Sequence, residues 1–429
     1  MLERLRLALL DRSFRSVLVV VAIVPITISY AYQTLVIPIV SPSRPIDFFD
    51  VYIRGAAVLL SGGDPYQPCL ANGCWSYLEN AWWFYPPVVQ WLAQPLVHVN
   101  QSWSGPIALV AAQLCVAIFL LLIVRSLRIR DWQVIATLAV VVMAFPPLTS
   151  EVEERNLQVL LLALSAVWFA GWLDGDRWWA GVALGTGIAL KLVQSPLLLL
   201  TIWFRRPWTA VAAMLSLAVL WLVGAPQYLG EYLFRIVPVM NLGGAGPMNV
   251  SAVAAVARLV HPASLYETGY GTGIDAGIRV IGYAIAAAVL VLSGVALRSP
   301  RVDREGRALE AALAVAATPL LVSLVRPGQL LLSLLPMLVL GTIALRRGDW
   351  RLGVAVAISW ALIGPTYLWM SNALAAGLAW PMLRLGAETA FIGTIVLWLA
   401  SVQALRYHGA TAPYVALEAS KPRIGSIYT

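Results

Sequence analysis

Long apolar runs separated by short polar or basic loops recur from one end of the 429-residue chain to the other. Runs of about 18 or more residues with few charges have the length a membrane-spanning helix needs. They predict helices at 17–40, 106–124, 132–145, 157–173, 209–225, 278–297, 308–325, 330–345, 352–370 and 385–405. One run breaks the pattern. Residues 178–204 start at one basic loop and end at another, so they cross an even number of times, yet they are too short for two full spans. They read as two half-length helices broken at Lys191-Leu-Val-Gln-Ser-Pro196. Irregular backbone at membrane depth is tolerated only where it lines a cavity or is buried in protein, so Lys191 is expected to face a cavity.

Two stretches are polar enough to lie outside the bilayer, the first loop 41–105 and a second segment 226–275. The second contains YLGEYLFRIVPVM and SAVAAVARLV, amphipathic pieces expected to lie on the membrane rather than cross it. The fold class is therefore all-α and polytopic, with about 12 transmembrane segments including the broken pair, and short amphipathic helices in both outer segments. Residues 1–16 form an N-terminus, 17–405 a single transmembrane domain and 406–429 a tail.

Composition rules out a soluble globular domain: 60% of residues are hydrophobic and 12% charged. The net charge of +8 could suggest nucleic acid, but all but nine of the 29 Lys and Arg fall in short loops on one side. That is the positive-inside pattern, so no nucleic-acid partner is expected. It puts both termini in the cytoplasm and the two polar segments on the extracytoplasmic side of the cell membrane. The basic N-terminus precedes an apolar run without a small-residue cleavage site, which predicts an uncleaved first helix. Cys115 sits in an apolar run; Cys69 and Cys74 flank a short loop on the outer side, where a disulfide and two free thiols are both open.

Candidate chemistry gathers on the outer side. Asp47 and Asp50 follow the first helix, where a carboxylate can take a proton from an acceptor hydroxyl; the rival reading makes them caps of a helix beginning near Val51. Lys191 carries a charge that is costly inside a membrane, and Arg326 and Arg155 add cations that could hold a phosphate leaving group. The aromatics around Trp82, Trp83 and Tyr85 suit either sugar stacking or an interfacial belt. Glu151, Glu153 and Glu154 read as a solvated loop. There is no phosphate-binding glycine loop and no His or Cys cluster with metal spacing, so no metal or obligatory cofactor is expected.

Several short motifs then stand in order. They are Asp47-Phe48, Tyr52 and Gly63-Asp64-Pro65-Tyr66; Tyr85-Pro86-Pro87; Asn156 and Gln158; Ala180-Gly181 with Lys191; and Asn249, Ser251 and Arg258. In this order the chain resembles membrane glycosyltransferases of the GT-C type, in particular glycosyltransferase family 87, over most of its length to about Leu345. Two departures stand out. Pro196 comes two residues later after Lys191 than in the family pattern. The family's Ser-Pro-x-Ser-Trp-x-His signature reads Ser323-Leu-Val-Arg-Pro-Gly-Gln329, so Gln329 replaces the His and Arg326 is added.

The resemblance implies an inverting enzyme that moves a sugar, mannose by family analogy, from a polyprenyl-phosphate donor to a lipid-linked or glycan acceptor on the outer leaflet. Asp47 inherits the general-base role, with Asp50 one slip away. Lys191, Arg326 and Arg155 are expected at the donor phosphate. Tyr52, Trp82, Trp83, Tyr85, Asn156, Gln158, Asn249 and Gln329 are expected to contact substrate, and the protein is expected to act as a monomer in the bilayer. The alternative is a lipid or small-solute transporter or flippase with Lys191 in its cavity; the absence of an internal repeat weighs against it.

Overall fold

The computed structural model describes residues 12–40, 47–67, 85–204, 206–241, 249–260, 274–375 and 380–419. Side chains are described over these ranges except at 12–19, 40, 47, 327, 366–375, 380–387 and 409–419. Every regular element among the described residues is helical.

Helix starts are set by short polar side chains. Asn100, Asp131, Asn156, Asp275 and Asp303 each accept from a backbone N–H in the first turn of the helix that follows. These side chains satisfy donors that a helix leaves open at its N-terminus. The caps move two boundaries from their expected places. The second long helix starts at Gln101 rather than near 106, with Pro106 tolerated near its start, and the 304–321 helix begins at Arg304 rather than near 308.

Among the described residues, 5 helices are long and apolar enough to span a membrane, or 7 if each of two bent pairs counts as one span. Shorter apolar helices, including Leu157–Leu173 and Trp178–Leu190, complete a multi-pass bundle. The expected count of about 12 also takes in runs such as 157–173 and 178–204, which form helices shorter than a full span. The last helix runs Trp380–Ala419, so residues 406–419 continue a helix where a tail was expected.

The centre of the bundle is Arg304–Leu321 and Leu334–Arg347, whose side chains are buried along most of their length. Helices apolar on all sides belong inside a bundle rather than at its rim. The first helix, by contrast, exposes Val20, Val21, Val24 and Ile28. Its polar tie to the rest is a small network: Tyr30 donates to Gln113 Oε1 at 2.9 Å, and Gln113 donates to Thr34 at 3.0 Å.

The broken pair is ordered by glycine. A Cβ at Gly181 would overlap the Thr209 carbonyl, and one at Gly185 the Ala213 carbonyl. Two glycines four apart let the backbones of Trp178–Leu190 and Pro207–Val223 approach closely, as small residues do in membrane helix pairs. Further along, Trp221 Nε1 donates to the Ala189 carbonyl at 3.1 Å. The contacts 181 with 209, 185 with 213 and 189 with 221 advance together, so the two helices are parallel. The segment between them therefore returns to the end it started from, through Leu192–Gln194 and Ser195–Trp203.

The two amphipathic pieces of residues 226–275 differ from each other. Pro226–Asn241 bends 100° from Pro207–Val223 and so runs across the spans. Ala252–Val260 packs against the protein along most of its length. Its residues 252–255, 257 and 258 are buried, with Val253 against Gly282 and Arg258 donating to Glu388 Oε1 at 2.8 Å.

Candidate functional site

The helical stretch that begins at Asp47 runs as a π-helix to Ile53 and continues as an α-helix through Leu60. Asp50 therefore lies inside a helix and cannot cap one that begins at Val51. A π-helix bonds residue i to i+5 and is found preferentially at functional sites. Position 47 stands one such turn before Tyr52. The Asp47 side chain lies outside the described residues, as do Trp82, Trp83, Cys69 and Cys74.

Tyr52 is the hub of one group. Its hydroxyl lies 3.2 Å from the Tyr85 hydroxyl and 3.2 Å from Asn156 Oδ1, and it accepts from the Leu157 N–H at 3.0 Å. The Tyr52 and Tyr85 rings meet edge to face at 5.2 Å. Lys191 Nζ lies 3.5 Å from the Tyr85 hydroxyl and 4.9 Å from its ring centre. Four elements meet here: the π-helix, the start of Pro87–Val97, the cap of Leu157–Leu173 and the break at Lys191.

Lys191 is held at this depth by its neighbours. Its backbone is extended, φ −160° and ψ 121°, which ends the helix before it. Gln194, fully buried, fixes the break: its Nε2 donates to Ser165 Oγ at 2.7 Å and to the Leu161 carbonyl at 3.2 Å. Its Oε1 fills the space that a side chain at Gly187 would need. The 13 residues of Trp178–Leu190 rise about 20 Å, less than the roughly 30 Å hydrocarbon core. Lys191 thus stands short of the far face of the bilayer. Gln194 went unnoticed in the sequence because a Gln in an apolar run carries no local signal; its place in a proline-bounded break was the available clue.

A second group forms around Arg326. Asn249 Oδ1 accepts from the Val325 N–H at 2.9 Å and from the Ser251 N–H at 3.1 Å, and its Nδ2 donates to the Ser323 carbonyl at 3.1 Å. Ser251 Oγ donates to the same carbonyl at 2.7 Å. Fully buried Arg258 donates to the Asn249 carbonyl at 2.6 Å. These bonds fix the backbone just before Arg326. Gln329 Oε1 accepts from the Arg326 N–H at 3.1 Å, so this side chain shapes the turn that presents Arg326.

Arg155 and Glu151 lie between the groups. Arg155 has φ +49°, rare for a residue with a side chain, and its Nη1 donates to the Glu153 carbonyl at 2.7 Å. Burial pulls its guanidinium down from the usual arginine range. Glu151 does not sit in a solvated loop. It belongs to the short helix Pro146–Glu153 and is 6% exposed. Gln158 is buried beside Asn156, which accepts from its N–H at 3.0 Å.

Residues 63–66 and 228–232 also join. Tyr66 Oη donates to the Tyr85 carbonyl at 2.9 Å, its ring lies 5.8 Å from that of Tyr232, and Tyr228 Oη donates to the Gly63 carbonyl at 3.0 Å. Burial pushes the Tyr66 phenol well above its usual range, so this donor keeps its proton. The turn Gly63–Tyr66 thus braces the Tyr85 backbone. Among the described residues there is no group of three or more His, Cys, Asp or Glu able to hold a metal ion.

The arrangement places the Lys191 ammonium at a helix break beside the Tyr85 hydroxyl, to which Tyr52 of the segment carrying Asp47 and Asp50 also bonds. Nothing matches among curated proteins. Among solved structures, the crystal structure of ArnT from Cupriavidus metallidurans bound to undecaprenyl phosphate is similar at 13% identity and a TM-score of 0.43, covering 95% of this chain and 81% of that one. The sequence model of glycosyltransferase family 87 matches residues 83–327, more than half of the chain, a span that contains Tyr85, Asn156, Lys191, Asn249 and Arg326 while Asp47 precedes it. The chain belongs to glycosyltransferase family 87.

Proposed function

We propose that this membrane glycosyltransferase moves a sugar from a polyprenyl-phosphate donor to a lipid-linked or glycan acceptor, with inversion at the anomeric carbon. Mannose is the sugar of this reading, and the site opens on the outer face of the cell membrane with both termini in the cytoplasm. Asp47, or Asp50 beside it, accepts the proton of the acceptor hydroxyl as that oxygen attacks C1. The C1–O bond to the phosphate breaks with its electron pair, and the polyprenyl phosphate leaves as an anion. It needs positive charge near its oxygens more than a proton donor. Lys191 supplies that charge, with Arg326 as a second cation; no metal is obligatory.

The observation that carries this reading is the seating of Lys191 at a helix break, 3.5 Å from the Tyr85 hydroxyl, one group away from the π-helix that starts at Asp47. A charge inside a membrane is costly, and a break that presents one has a use for it.

The test is transfer by purified protein in nanodiscs, with radiolabelled polyprenyl-phosphate-mannose and a mixed lipid extract as acceptor. Wild type makes a labelled glycolipid, and Asp47→Asn loses about 10²–10⁴-fold in turnover. Retention of more than about a tenth of wild-type turnover removes Asp47 from the role of base. Transfer from a pentose donor but not from the mannose donor would reassign the sugar and keep the mechanism.

A further inference from the structure

Glu151 lies where the two groups of the site meet. Its carboxylate, 6% exposed, packs onto the Cα of Gly328: a Cβ built there would overlap Oε1 and Cδ and stand 3.0 Å from Oε2. Position 328 is therefore closed to any side chain while Glu151 keeps its place. Through its backbone, Glu151 reaches the other group, since its carbonyl accepts from the Asn156 N–H at 2.8 Å. Asn156 in turn touches Tyr52. Gly328 opens the turn Pro327–Ser333, two residues after Arg326. A buried ionised carboxylate is unfavourable unless cations or hydrogen bonds compensate it, so a Glu at this point is an expensive way merely to fill space.

We infer that Glu151 is a positioning residue for Arg326. Its carboxylate clamps the 326–328 turn against the Tyr52–Asn156 group, so that Arg326 and Lys191 border one anionic seat for the phosphate of the lipid substrate. The inference rests on the proposed role of Arg326 at that phosphate. Val325 and Gln329 fix the turn from its two sides, through Asn249 and the Arg326 N–H respectively, and Glu151 fixes the third side.

The test compares binding of undecaprenyl phosphate and of undecaprenol to the full-length protein in nanodiscs. The alcohol reports the fit of the chain and the phosphate reports the seat. Glu151→Gln keeps the shape and removes the charge; Gly328→Ala keeps the charge and removes its room. Each is expected to weaken undecaprenyl phosphate binding about tenfold, a loss of about 1.4 kcal/mol, and to leave undecaprenol binding within about twofold. In a Glu151→Ala background, where the methyl at 328 has space, Gly328→Ala should add less than about a twofold change, because the two sites are coupled.

If Arg326→Ala abolishes the preference for phosphate while Glu151→Gln and Gly328→Ala keep it, the positioning role is overturned and the phosphate seat stands. A Gly328→Ala effect that is as large without the Glu151 carboxylate overturns the clamp. If wild type holds the phosphate no tighter than the alcohol, or Arg326→Ala changes nothing, the seat itself is wrong and the clamp falls with it. Should Gly328→Ala fail to fold, the isosteric Glu151→Gln still decides.

Discussion

At the arginine-rich end of the bundle, charged side chains close neighbouring helices. Arg206 donates to the carbonyls of Trp172 and Gly175 at 2.6 and 2.7 Å, and its guanidinium lies 3.7 Å over the Trp172 ring. Arg307 donates to Leu173, Arg304 to Ser126 and Arg346 to Leu127, each at the last turn of a helix or just past it. Asp176 caps the start of Pro207–Val223 by accepting from the N–H groups of Trp208 and Thr209. At the opposite end Lys191 meets a tyrosine hydroxyl and ring instead, and Arg326 is presented by a turn that three other residues hold. The same charge type serves helix ends at one face and, in the proposed function, the donor phosphate at the other. Positive-inside counting explains where the first set goes but is silent about its work, which is to satisfy the carbonyls that every helix leaves open.

The largest effect that would break the comparison is expected at Lys191. Lys191→Ala should lower transfer about a hundredfold, the range seen when a single stabilising donor is removed from a developing anion. The midpoint of thermal unfolding should stay within a few degrees, because Gln194 fixes the break through Ser165 and Leu161. A large loss of thermal stability with unchanged turnover per folded molecule would assign Lys191 to the structural class instead.

Arg206→Ala should do the reverse. It removes two charged hydrogen bonds to carbonyls and a ring contact, so it should cost about 2–3 kcal/mol of stability. Burial pulls this guanidinium down to about 10, so it remains charged at neutral pH and no proton release softens the loss. Turnover per folded molecule should remain within about twofold of wild type. Gly185→Val sits between the two ends and sharpens their relation. Its side chain would drive against the Ala213 carbonyl, an overpacking of about 1–3 kcal/mol, and the parallel pair that carries Lys191 would spread. Thermal unfolding and transfer should therefore both fall in this variant alone.

Much of this division was legible in the apolar pattern. The spacing of apolar runs placed Leu157–Leu173, and the odd length of residues 178–204 placed a break at Lys191. Asn249 was singled out as a substrate contact by its motif, and the structure shows its amide bonded to Ser323, Ser251 and Val325. Sequence pattern could not find that role, because two of the partners, Ser323 and Val325, lie more than seventy positions away. Glu151 was hidden for a related reason. A run of acids reads as solvated until a glycine far along the chain is brought against one of them. Length and composition mark fewer spans than the expected 12, because runs such as 157–173 and 178–204 form helices shorter than a full crossing. Periodicity reports what faces lipid, whereas the site is built from caps, breaks and turns whose partners are distant in sequence.

The smallest expected effect tests whether the arginine-rich end works through carbonyls or through ion pairs. Arg304 contacts both: its Nε donates to the Ser126 carbonyl at 2.8 Å, and its Nη1 lies 2.8 Å from Asp174 Oδ1. The ion pair is well exposed, with 32% and 45% of the two side chains accessible, and pairs of this kind contribute about 0–1 kcal/mol. Asp174→Asn keeps the size and the acceptor and removes the charge, so unfolding should shift by less than about 0.5 kcal/mol and transfer should be unchanged. Arg304→Ala removes the carbonyl bond as well and should cost more than Asp174→Asn does. Equal losses in the two variants would make the ion pair the working contact, and the contrast between the two ends would then lie in charge partners rather than in helix ends.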